Sequence, residues 1–236
     1  MQGKQRLKGE SILESTFVTV PAYNESTVIA DVVRALRQLP VTVVVIDDGS
    51  SDGTAAAAMS SGAVVVSHPL NRGQGAAIQT GLEYCLGRGA KVIATFDADG
   101  QHSVLDVARL VEPIALDRVD VVLGSRFLGS ARGIPFTRKA LLKIGVYFTR
   151  VFSNASITDV HNGLRAFSAT AASEIKLTQD RMAHASQIID QIVAAGLRFE
   201  EIPVEIRYTE YSKRKGQRAT DAIRVAFEYL VGRVAR

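Results

Sequence analysis

Four short apolar runs, each breaking into a polar loop and each followed by a helical pattern, restrict this chain more than anything else in it. They cover residues 16–21, 41–46, 63–67 and 92–96. A run of five or six residues that is apolar on both faces reads as a strand buried in a parallel sheet. Between the runs, apolar residues recur at helical spacing, at Val28, Val32, Val33, Leu36 and Leu39 and again at Ile78, Leu82 and Leu86. Ser26 is placed to cap the first helix, and Asp52 or Thr54 the second. The alternation predicts an α/β fold: a doubly wound sheet with its ligands at the carboxyl ends of the strands. Polar clusters fall at those ends, at 23–25, 47–48, 72–75 and 97–101. Loops of this type are polar in any case, but four of them sharing one edge predict a single crevice.

The fourth run leads straight into Asp97-Ala98-Asp99-Gly100-Gln101-His102. In an extended segment residues i and i+2 point the same way, so Asp97 and Asp99 are expected to converge. Two carboxylates that close repel unless a hard divalent cation, Mg2+ or Mn2+, sits between them, and Gln101 adds a neutral oxygen. A strand-ending turn with solvated acids is the plainer alternative.

Several classes of protein are excluded. No G-x-x-x-x-G-K-[ST] follows a strand, and Gly73-Gln74-Gly75 lacks the third glycine of a dinucleotide fingerprint. The longest apolar runs fall well short of the roughly 20 residues of a membrane span. The first ten residues are polar, do not read as a secretory leader, and with the stretch to residue 15 are expected to fray. Cys85, the single cysteine, reads as a core thiol, so no disulfide framework exists and a cytoplasmic setting is expected. The net charge is +4, but the segments 121–158 and 211–220 contain no acid and hold many cations. Such segments suit an anionic partner. With 6% aromatic residues and no tryptophan, nucleic acid is not expected.

The motifs PAYNE (21–25), VVVIDDGSSDGT (43–54), NRGQGAAIQTG (71–81), FDADGQH (96–102) and GSRF (124–127) together resemble the family 2 glycosyltransferases, over roughly residues 16–170. The continuation Gln101-His102 and the segment GLRAF (163–167) are most similar to the dolichyl-phosphate mannose synthase and bacterial polyprenyl-phosphate glycosyltransferase branch. The resemblance implies a GT-A fold with a Rossmann-like, mostly parallel central sheet. A nucleotide-binding half would span about 16–124, an acceptor half about 125–218, and a C-terminal amphipathic helix 219–236. It further implies that Pro21, Tyr23, Glu25, Ile46, Asp48, Gly75, Asp97 and Ala98 line the nucleotide site. Asp48 would read the edge of uracil or guanine, and Asp47 would brace the loop. Asp97, Asp99 and Gln101 would hold Mg2+ or Mn2+ on the diphosphate of a UDP- or GDP-sugar.

On the acceptor side the resemblance implies that Arg126 and Arg138 meet a phosphate, and that Tyr211, Ser212, Lys213 and Lys215 belong to a loop closing over the site. Guanidinium groups there would offset repulsion between an anionic acceptor and an anionic donor. The segment 135–153 mixes long apolar residues with cations and no acids, which reads as an interfacial helix or as a core helix with basic edges. Hydroxyl-acceptor enzymes of this fold place a carboxylate base well after the metal motif. Here 181–187 has none, with Asp180 and His184 nearby. That favours an acceptor already ionised, a polyprenyl phosphate, and an inverting transfer. A saccharide hydroxyl acceptor is the alternative, and a non-catalytic nucleotide-sugar-binding subunit is an alternative of another class. Attachment would be peripheral, on the inner face of the membrane, with help from a small membrane partner protein.

Overall fold

A computed structural model describes residues 12–132, 134, 142–143, 145–147, 149–150, 155–179 and 183–208. The expected C-terminal helix, Arg138, Asp180 and the loop with Tyr211, Ser212, Lys213 and Lys215 lie outside the described residues, as does most of the expected interfacial helix. Residues 12–15, expected to fray, form a helical turn closed by the Ser15 amide on the Ile12 carbonyl, with Ile12 and Leu13 packed on the core.

Thr16–Ala22 (β1), Thr42–Asp47 (β2), Val64–Ser67 (β3) and Val92–Thr95 (β4) fall on the four apolar runs, joined by helices Ile29–Leu36 (α1), Thr54–Ser60 (α2) and Gln74–Gly87 (α3). After them come Leu105–Ala115 (α4), Val121–Arg132 (β5), Arg165–Ser168 (β6), Ala169–Glu174 (α5), His184–Ala194 (α6) and Phe199–Arg207 (β7). Among the described residues the strands form one sheet in the order β3-β2-β1-β4-β6-β5-β7. All neighbours are parallel except β6, which runs antiparallel to both β4 and β5. This is the α/β, GT-A arrangement with a mostly parallel sheet.

Alternation along the strands feeds two cores. Val18, Val20, Val43 and Val45 meet α1 and α4 on one face, while Val44, Ile46, Ile93 and Val121 meet α3 and α6 on the other. Each fully buried large aliphatic side chain contributes about 1.5–3 kcal/mol, so both faces of the central strands are committed to packing. Cys85 is such a core group, its thiol pushed by burial up to about 12.

Two local expectations need correction. Ser26 does not cap α1; its amide donates to Asp52 Oδ2 (3.2 Å), and the Glu25 carbonyl takes the Val28 and Ile29 amides instead. Asp52 precedes the N-cap of α2, Gly53, and accepts the Thr54 amide and hydroxyl. β5 runs through to Arg132, with an irregularity against β7 between Ser125 and Ser130 that the Ser125 hydroxyl helps close by accepting the Leu128 amide (3.2 Å). A bulge of this sort re-aims a side chain, and Arg126 lies within it.

Candidate active site

The carboxyl ends of β1, β2 and β4 and the N-terminus of α3 do meet at one cavity of about 370 Å3. Its walls include Pro21, Tyr23, Glu25, Asp48, Asp97, Ala98, Asp99, Gln101 and Arg126, each expected from the sequence, together with Gln74, His102, His161, Gly163, Arg165 and His184. Ile46 and Gly75 stand behind that wall. Ile46 is fully buried in the core and Gly75 is buried in the first turn of α3.

The loops after β1 and β2 lock each other in place. Asn24, at a positive φ of 53°, accepts the Ser51 amide (2.9 Å) on its side chain while its own amide donates to the Ser50 hydroxyl (2.9 Å). The Glu25 amide donates to Thr54 Oγ1 (2.8 Å). Burial raises Asp52, but hydrogen bonds from Thr54 and Ser26 outweigh it and hold the carboxyl at about 2. Asp47 braces its own loop, accepting the Ser50 amide at 3.3 Å. Asp48 lies on the cavity floor and binds the segment before α3, accepting from the amides of Arg72 (3.0 Å) and Gly73 (2.7 Å) and from His68 (2.7 Å).

Asp97 and Asp99 are brought together by a turn rather than by strand alternation, because β4 ends at Thr95. Asp97 is held on both oxygens, by Gln74 Nε2 (3.2 Å) and His102 Nε2 (2.9 Å). His102 is itself nearly enclosed, its ring edge-on to Phe96. Asp97 also sits directly over Gly163, where a Cβ would lie 2.0 Å from its Oδ1. Burial works to raise the Asp97 carboxyl, yet His102, Arg165 and Arg126 keep it below its ordinary range. Asp99 goes the other way: burial and the charges of Asp97 and Glu25 push it up to about 6. Carboxylates crowded in this sense are what a divalent cation relieves. Among the described residues no three His, Cys, Asp or Glu side chains are arranged to hold a metal unaided. Any cation held here would draw further oxygens from Gln101, water or its ligand.

Two buried guanidinium groups line the same cavity. Arg126, only 7% exposed, donates from its backbone amide and Nε to Asp159 Oδ2 (3.0 and 2.6 Å) and from Nη1 to the Tyr208 hydroxyl (2.8 Å). Glu201 grips the same turn through the Thr158 and Asp159 amides. Arg165, 3% exposed, gives Nη2 to the Val160 carbonyl (3.0 Å) while Nη1 has no partner among the described residues. Burial lowers its guanidinium to about 10 despite the nearby Asp97 and Asp159. His161 is held neutral, burial bringing it down to about 4. His184 opens α6 at the cavity wall. Sequence reasoning passed over Arg165 and His161. The segment GLRAF was noticed as a motif, but nothing local showed that it forms a strand wedged beside β4.

The Glycosyl transferase family 2 model matches residues 17–176. The chain belongs to that family. It is a glycosyltransferase. A polyprenol monophosphomannose synthase of Mycolicibacterium smegmatis is 31% identical over 94% of this chain and 90% of its own length. A UDP-N-acetylglucosamine–dolichyl-phosphate N-acetylglucosaminyltransferase of Methanococcus voltae is 29% identical, over 91% and 94%. Among solved structures, glucosyl-3-phosphoglycerate synthase of Mycobacterium tuberculosis, in complex with Mn2+, UDP-glucose and phosphoglyceric acid, superposes with a TM-score of 0.71 at 19% identity, over 92% of this chain and 78% of that one. That likeness bears on the fold. No helix among the described residues is long and apolar enough to cross a membrane.

Proposed function

We propose that this glycosyltransferase moves a sugar from a nucleotide-diphosphate sugar to a polyprenyl phosphate, with inversion. The observation carrying this reading is the mixture of charge around one cavity: crowded carboxylates, and two buried guanidinium groups, one of them without an ion-pair partner among the described residues. An anionic donor and an anionic acceptor can meet there only if each charge is met. Two relatives matched over nearly their full length carry polyprenol or dolichyl phosphate in their names, which supports the acceptor class.

Asp97, Asp99 and Gln101 would hold Mg2+ or Mn2+, and that ion would neutralise the leaving diphosphate. Pro21, Tyr23, Glu25, Asp48 and Ala98 form the nucleotide end. Arg126 and Arg165 orient the lipid phosphate, aided by Arg138 and the loop with Tyr211, Ser212, Lys213 and Lys215. A phosphate oxygen attacks the anomeric carbon as the bond from that carbon to the nucleotide diphosphate breaks, so no proton has to be removed from the acceptor. The enzyme would work peripherally at the inner face of the membrane, with a small membrane protein as anchor; flotation with anionic vesicles checks the attachment. Incubation with labelled sugar nucleotides, Mn2+ and polyprenyl phosphate should give an organic-extractable product. Label transferred only to water-soluble saccharides would establish the second reading, a hydroxyl acceptor, for which neutral His161 and neighbouring His184 on the wall are the candidate bases.

A further inference from the structure

We propose that His68 and the loop before α3 leave the Asp48 carboxylate a single open acceptor position, so that the donor base is uracil and not guanine. The inference rests on the nucleotide-sugar reading and narrows it. His68 acts as a positioning residue for the choice of base.

A carboxylate offers about four acceptor positions, two on each oxygen. Oδ1 of Asp48 takes His68 Nδ1 at 2.7 Å and the Arg72 amide at 3.0 Å, and Oδ2 takes the Gly73 amide at 2.7 Å. Among the described residues these are all its donors, so one position remains, on Oδ2. The carboxylate cannot easily turn to present both oxygens, because His68 is a strut. Nδ1 faces the carboxylate, and Nε2 lies 2.9 Å from Thr80 Oγ1 on α3. The amides of 72 and 73 are also pinned. Gly49, at φ 71°, lets the chain at Leu70 and Asn71 come so close that a Cβ would stand 2.6 Å from the Leu70 carbonyl carbon.

The bases differ at the edge they would present. Guanine carries N1–H and N2–H side by side and pairs with a carboxylate through both oxygens. Uracil carries one N3–H, and cytosine has a lone pair at N3. Of uracil and guanine, only uracil matches a carboxylate with one place left, and cytosine would set its N3 lone pair against it. Guanine would bury an N–H without an acceptor, which costs about tenfold or more in affinity.

Equilibrium binding of UDP, GDP and CDP to the whole protein with Mn2+ tests this. UDP should bind about tenfold or more tightly than either of the others. GDP binding at or above UDP overturns the inference alone, whereas no binding by any of the three overturns the nucleotide-sugar reading and the inference with it. Substituting His68→Leu frees the carboxylate and should shrink the UDP-to-GDP ratio by about threefold or more, while His68→Asn, whose amide can stand in for Nδ1, should keep it. An unchanged ratio in a folded His68→Leu protein would reduce His68 to packing. If that variant does not fold, the wild-type nucleotide series decides.

Discussion

The carboxylates proposed to meet the donor and the arginine proposed to meet the acceptor are held by different means. Around the carboxylates the loops after β1, β2 and β3 brace one another through backbone amides and short polar side chains, Asn24 with Ser51, Asp52 with Ser26, Asp48 with Arg72 and Gly73. Asp99 is left with little besides the Gln101 amide. Arg126 is fixed by side chains 33 and 82 positions away, Asp159 and Tyr208, in a buried ion pair. The contrast teaches that Asp99 is kept under repulsion, while Arg126 is part of what holds the domain together.

Asp159→Ala is the most severe test. It leaves the Arg126 guanidinium buried without its carboxylate, and unfolding by urea should show a loss of about 3–5 kcal/mol. A loss near zero would erase the contrast. Asp99→Ala should do the reverse: turnover falls about 10²–10³-fold, judged by analogy with the loss of one preorganised charge-stabilising group. Its melting temperature should stay at or above wild type, because a crowded carboxylate has been removed. Gly163→Ala lies between the two, since its methyl group must displace Asp97; a shift of about 1 Å is expected to cost on the order of 10²-fold in turnover with modest change in stability.

A pH series sharpens the donor side. Asp99 holds its proton up to about 6, above its ordinary value, while Asp97 is kept ionised. Cation-dependent UDP binding, followed by calorimetry from pH 5 to 8, should therefore be flat above the Asp99 value and weaken about tenfold per unit below it. The smallest effect is expected of Tyr208→Phe, which removes one hydrogen bond from Arg126. It should cost about 1 kcal/mol or less in stability and raise KM for the lipid phosphate while leaving UDP affinity unchanged.

The same contrast explains what could be read from the chain. The donor half is written in local signals, an apolar run followed by a polar turn, so its strands, its crevice and most of its carboxylates were legible. The actual partners were not: that Asn24 and Asp52 tie loops together depends on loop conformation. In the acceptor half, β6 has four residues and pairs with β4, some 70 positions earlier. No periodicity of so short a run announces that, and Arg165 and His161 went unseen with it. The continuation of β5 through its irregularity was hidden for the same reason, because only β7 on the far side shows that Ser130 resumes the ladder.

β6 carries a last consequence. Arg165 is paired on one side with Thr95 and on the other with Leu123, so one residue ties β4 to β5. A slip of a single position would turn its guanidinium away from the cavity and a neighbour's methyl group into it. Chimeras that swap donor-binding halves between relatives should therefore carry β6 along with β4, since a join placed between them severs the seam that keeps the two ends of the reaction in register.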